Sequence, residues 1–175
     1  MAIFRQLGDR RSEAQTLTHL GFALQEVGRF DEAIDAHTQA ADIFRGLGDR
    51  RSEGMALTGL GITHREMGRF GEAIDAYTQA VAICRELGDR HLEAQTLTNL
   101  GVVQRRVRRF DEATDAHTQA ATIFRELGDH RLESIAQNHL LKDRRWWRWR
   151  TWHDRVRRHR AFHITDLRDL SDTLR

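Results

Sequence analysis

The phrase Leu-Gly-Asp at residues 7–9 returns at 47–49, 87–89 and 127–129, so the chain repeats itself every 40 residues. A fixed period of roughly 20–50 residues marks stacked supersecondary units, none of which can bury its apolar face alone. Aligned at that period, residues 14–53 and 94–133 are identical at 28 of 40 positions. The copies run 14–53, 54–93 and 94–133, between a partial unit at 1–13 and another at 134–141. Near-copies in tandem exclude any fold whose parts must differ from one another.

Within one copy, helical spacing appears twice. Ala14, Leu17, Leu20, Gly21 and Leu24 share one side of a helix predicted from about Arg10 to Val27, which Gly28 can end in the left-handed conformation. A second helix is predicted to start near Asp31, read as its N-cap, with Glu32 in its positive first turn. Its buried stripe is expected at Ala33, His37, Ala40, Phe44 and Leu47, flanked by Ile34 and Ile43. Gly48 then closes this helix and Asp49 caps the next. No strand pattern competes, and the chain has no proline, which suits uninterrupted helices. The expected class is all-α: an α-solenoid of antiparallel helix pairs, with a C-terminal extension that also fits a helix.

The order Leu17, Leu20-Gly21, Ala33, Ala40 resembles the tetratricopeptide repeat, whose small residues sit at tight helix crossings. Copies two and three keep Leu57, Leu60-Gly61, Ala73, Ala80 and Leu97, Leu100-Gly101, Ala113, Ala120. The resemblance covers residues 2–140 and implies a right-handed superhelix. The unit exceeds the family's usual length of roughly 34 residues. It is similar to the extended variant of kinesin light chains and G-protein-signalling adaptors, and to arrays on bacterial signalling ATPases and transcriptional regulators. There are departures. His37, Tyr77 and His117 stand where the second helix carries an aromatic, and Leu24, His64 and Gln104 where the first often does. Arg108 replaces the turn glycine of copy three, so that turn is expected to be strained or reshaped. The segment at 2–9 matches the end of a second helix at 42–49, and 131–141 starts another first helix before Gln137 and Leu141 break its register. The chain therefore reads as a piece of a longer array.

The resemblance implies that the first helices line a concave groove in which a peptide or helix binds. The matching sector holds Gln15, Thr18, His19, Phe22, Gln25 and Glu26 in copy one. Copy two offers Met55, Thr58, Gly59, Ile62, Arg65 and Glu66, and copy three Gln95, Thr98, Asn99, Val102, Arg105 and Arg106. The threonines form one ladder and Phe22, Ile62 and Val102 an apolar one. The positions around them differ from copy to copy, as they would if each unit read a different part of one ligand, or if exposed positions had drifted. The family's carboxylate clamp uses basic residues and asparagines where this chain has threonine and the apolar ladder. An apolar ligand therefore fits better, and Arg105, Arg106, Arg108 and Arg109 favour an acidic flank on it.

Catalysis finds little support: there is no Gly-rich phosphate loop and no nucleophile beside a base. The recurring aspartates read as helix caps, and His37 and His117 as core. His159 and His163 are four apart but lack a third metal ligand. Neither a cofactor nor a metal is expected. One cysteine, Cys84, excludes an internal disulfide. No apolar run spans a membrane and no signal peptide opens the chain, so the cytoplasm is the expected compartment.

Residues 142–175 differ from the body. They hold all four tryptophans and 11 Arg/Lys against 5 Asp/Glu, which leaves 17 against 21 for residues 1–141 and an overall net charge of +2. As a helix, the tail would align Trp146, Trp149, Trp152 and Val156 among arginines. Three readings stand: a cap on the open apolar end of the stack, a hook for a partner, nucleic acid or an anionic surface, or a truncated or frame-shifted fragment of a larger gene, in the GC-rich DNA that a body with 17 arginines and no lysine suggests. The functional expectation is a non-catalytic protein-interaction scaffold, a fragment of a larger bacterial regulatory or signalling protein. The alternative is a regulatory module gripping nucleic acid or an anionic membrane through the tail alone. Open solenoid ends also invite self-association.

Overall fold

The structure is a computed structural model that describes residues 9–143. The chain divides into two compact units, 1–140 and 141–175. The first holds helices α1 (Arg10–Glu26), α2 (Phe30–Gly46), α3 (Arg50–Glu66), α4 (Phe70–Leu87), α5 (Arg90–Arg106) and α6 (Phe110–Glu126). A further helix, α7, starts at 130 in the first unit, and of the second unit residues 141–143 are described. No strand occurs among the described residues. The partial helix expected before residue 9, the tryptophan stripe at Trp146, Trp149, Trp152 and Val156, and the pair His159 and His163 lie outside the described residues.

The odd-numbered helices start as the sequence predicts. The aspartate before each accepts a hydrogen bond from the backbone N–H three residues on: Asp9 from Ser12 at 3.0 Å, Asp49 from Ser52 at 3.2 Å, Asp89 from Leu92 at 3.1 Å and Asp129 from Leu132 at 3.0 Å. The even-numbered helices differ from expectation. Helix α2 begins at Phe30 with Arg29 as N-cap and no side-chain cap bond, so Asp31 is not the cap but lies in the first turn, where its charge meets the helix dipole. The preceding turn sets this position. Gly28, at φ 75°, donates to Gln25 O, and Arg29 donates to Leu24 O at 2.9 Å, a Schellman closure that leaves one linking residue. In copy three Arg108 takes φ 65° and the same bonds form, Arg109 donating to Gln104 O at 2.8 Å. That turn is strained, as a side chain at positive φ must be, but it is not reshaped.

Small residues set the crossings. His37, Tyr77 and His117 are buried, and each ring lies against the glycine of its own first helix. A Cβ added at Gly21 would sit 2.6 Å from His37 Cε1, one at Gly61 2.7 Å from Tyr77 Cε1, and one at Gly101 2.6 Å from His117 Nε2. Ala33, Ala40 and Phe44 are buried as predicted, whereas Leu47 is 44% exposed because α2 ends at Gly46 and turns Leu47 outward. Leu20 is 41% exposed while its counterpart Leu100 is 8% exposed, since Leu100 packs in one cluster with Val81 of the preceding second helix.

Candidate functional site: the groove face of the first helices

Curvature decides which face is concave. Each helix packs on the next along the chain, and the backbones of α1 and α3, and of α3 and α5, also come close, whereas the backbones of the second helices α2, α4 and α6 stay apart and only side chains bridge them, as where Arg85 of α4 donates to Gln119 Oε1 of α6 at 2.7 Å. The first helices therefore lie on the inner side of the bend.

The predicted groove residues separate into three groups. Some are spent on the fold. The hydroxyls of Thr18, Thr58 and Thr98 donate to the carbonyls of Ala14, Gly54 and Ala94 at 3.0, 2.9 and 2.9 Å, so the threonine ladder offers methyl groups rather than free donors. Gln25 reaches across the joint to Thr63 Oγ1 at 2.6 Å and Gly59 O at 3.3 Å, which makes it a fastener between units. Others are shared between core and surface. Phe22, 37% exposed, meets the His37 ring edge-on with centroids 4.9 Å apart. Ile62 packs against the core and Val102 is half-buried. Arg65 pairs with neighbouring Glu66 at 2.6 Å, and a guanidinium nitrogen of Arg105 lies 3.5 Å from His139 Nδ1. The third group is open. Met55 is 47% exposed, Arg106 is exposed, and the side chains of Gln15, His19, Gln95 and Asn99 hold no hydrogen bond to any described residue.

The open residues gather around two pockets. Gln15, Thr18 and His19 of α1 face Ser52 and Met55 of α3 across a space of about 340 Å³, with Phe44 of α2 beneath. Gln95, Thr98 and Asn99 of α5 face Leu132 and Ile135 of α7 across about 240 Å³, with Phe124 of α6 beneath. Sequence reasoning assigned Phe44 to the core and missed Ser52, Phe124, Leu132 and Ile135. The spacing that carries Gln15 to Gln95 also carries Met55 to Ile135, which was the available signal.

A second set also escaped prediction. Glu13, Glu53 and Glu93 are buried. Glu53 accepts from Arg45 of α2 at 2.8 Å and from Arg50 of its own helix at 2.6 Å, and Glu93 accepts from Arg85 and Arg90, both at 2.9 Å. The outer nitrogens of Arg50 and Arg90 reach Glu86 and Glu126 at 2.7 and 3.0 Å. Glu53 and Glu93 thus each join the second helix of one unit to the first of the next. Groups that could react are muted: Cys84 is buried and burial pushes its thiol up to about 11, far from a thiolate at neutral pH. Among the described residues no three His, Cys, Asp or Glu side chains are placed to hold a metal, and no helix is long and apolar enough to cross a membrane.

No curated protein matches the sequence. Among solved structures, the chain is similar to the apo form of RapI, at 14% identity and TM-score 0.77 over 83% of this chain and 40% of that one. The chain thus spans less than half the length of RapI. It is similar to the first TPR of Spaghetti (RPAP3) bound to the HSP90 peptide SRMEEVD, at 20% identity and TM-score 0.63 over 78% of this chain and 94% of that one. It is also similar to a Podosopora anserina putative kinesin light chain with nearly identical TPR-like repeats, at 18% identity and TM-score 0.66 over 76% and 66%. Identities this low speak to the fold alone. A tetratricopeptide repeat model matches residues 12–86 and again 52–126, well over half the chain, and with the helix pairs and glycine-seated rings above, the chain belongs to the tetratricopeptide repeat family.

Proposed function

We propose that the protein is an interaction scaffold that grips a peptide or helix on the concave face of α1, α3 and α5. The observation that carries this reading is the set of open side chains there. Met55, Gln15, His19, Gln95 and Asn99 are uncommitted to the fold and border two pockets with aromatic floors. Apolar surface held open beside unspent amides suits a partner that buries two or three apolar side chains, each contributing about 1.5–3 kcal/mol. The neighbour that carries an HSP90 peptide is consistent with peptide binding, although the apolar ladder here suits a different sequence. The wider setting, a bacterial regulatory or signalling protein in the cytoplasm, is part of the proposal and rests on the resemblance of the 40-residue unit.

The test is binding measured with the groove altered and the tail removed. Ile62→Glu and, on a more exposed side chain, Met55→Glu should each weaken partner binding at least about tenfold with little dependence on salt, while thermal melts confirm the fold. Binding that survives both substitutions but falls steeply with salt and vanishes without residues 142–175 would favour the tail as the contact.

A further inference from the structure

The two groove pockets are one site recurring at 80 residues rather than 40. Gln15, Thr18, Phe44 and Met55 line the first, and Gln95, Thr98, Phe124 and Ile135 the second. At the intermediate joint the same positions hold Met55, Thr58, Cys84 and Gln95. There the aromatic floor becomes a thiol, and the glutamine and the apolar residue have exchanged walls. Whole copies follow the same alternation: the outer two share 28 of 40 positions, while the middle one shares 23 with the first and 22 with the third. Like sites therefore stand two units apart, with an unlike one between them.

We infer that the groove reads an extended peptide bearing two large apolar side chains about six residues apart, one in each phenylalanine-floored pocket, with acidic residues near the second. This rests on the groove reading above. Helices in contact lie roughly 10 Å apart, so sites two units apart are separated by roughly 20 Å. An extended chain covers that in about six residues at ~3.3 Å each, whereas a helix needs about thirteen at 1.5 Å. The amides of Gln15 and Gln95, each with donors and an acceptor unspent, match the N–H and C=O groups that an extended backbone leaves unpaired and a helix does not. Charge fixes the direction. Helix α5 ends on Arg105 and Arg106, where α1 ends on Gln25 and Glu26, so acidic side chains are favoured at the third unit. They would lie about 12 Å from Thr98, eight helical residues away.

The experiment is selection of a random library of about sixteen-residue peptides on the full chain, followed by affinity measurement of the enriched peptide against three variants. The expected peptides share two large apolar residues about five to seven apart with acidic residues on one side only. Met55→Glu and Ile135→Glu, at side chains 47% and 39% exposed, should each weaken binding about tenfold or more, each cancelling the preference for one of the two anchors. Enriched peptides with a single anchor or helical spacing, still lost on Ile62→Glu, would overturn the two-anchor reading and leave the groove standing. No enrichment, or binding indifferent to all three substitutions, would overturn both.

Discussion

Histidine is buried at the same position in the first and third units, in different surroundings. The His37 ring lies between Gly21 of its own unit and Gly59 of the next, each so close that an added methyl would stand 2.6 Å from Cε1. Neither ring nitrogen has a hydrogen-bond partner, and burial pushes the pKa down to about 4. His117 rests on Gly101 in the same manner, but the following helix offers it His139, whose ring stacks on it with centroids 5.0 Å apart and planes 17° apart. One residue of the next unit makes the difference, glycine at 59 and histidine at 139. The core of each unit is completed by its neighbour, so identical sequence does not guarantee an identical environment.

Acid should expose this contrast most strongly. Above about pH 6.5 His37 is neutral both folded and unfolded and contributes no pH dependence. Below that, the unfolded chain binds a proton that the folded chain refuses until about pH 4, so stability falls by about 1.4 kcal/mol per pH unit, about 3 kcal/mol in all. Urea midpoints of the wild type and His37→Phe between pH 7 and 4 should diverge accordingly, and parallel curves would break the comparison. Next in size is Gly59→Ala, which drives a methyl into a ring held from both sides and should cost about 2 kcal/mol. The cost should shrink in a His37→Ala background, as a double-mutant cycle would show. His139→Ala removes the stacked ring and should lower stability by about 1 kcal/mol, read as a shift in denaturant midpoint. The smallest effect belongs to the other point where the units part: Arg108→Gly relieves a left-handed backbone and should raise stability by about 0.5–1 kcal/mol. A loss on that substitution would show that the arginine side chain outweighs the strain.

Features internal to one helix could be read from the sequence. The 40-residue period placed α1 within a residue of its end, and the Asp9, Asp49, Asp89 and Asp129 caps follow from short-range chemistry. Features that depend on the adjoining unit could not. Helical spacing marks Leu20 and Leu47 as apolar-side residues without saying what covers them, and both are exposed. Gln25 shares the groove sector, yet its amide is drawn across the joint by Thr63, a residue 38 positions away. Glu53 reads as a solvated charge until Arg45 and Arg50 close over it. The groove itself was partly legible. The helix sector that the family resemblance marks holds Gln15, His19, Met55, Gln95 and Asn99, whereas the aromatic floor beneath them counts as core in any one-helix view.

The buried glutamates Glu53 and Glu93 fasten two successive joints in the same way, with Arg45 and Arg50 on Glu53 and Arg85 and Arg90 on Glu93. A joint that recurs unchanged makes length a heritable variable. Recombination between near-identical coding segments can delete or insert 40 residues and still bring an arginine of one unit to a glutamate of the next, while any other step leaves a carboxylate buried without its cations. Loss of residues 54–93 would place Phe44 and Phe124 in adjacent units, halve the interval between them and put Gln95 where Met55 walls the first pocket. Recognition could then change in whole steps, by miscounting repeats, with no amino acid substituted.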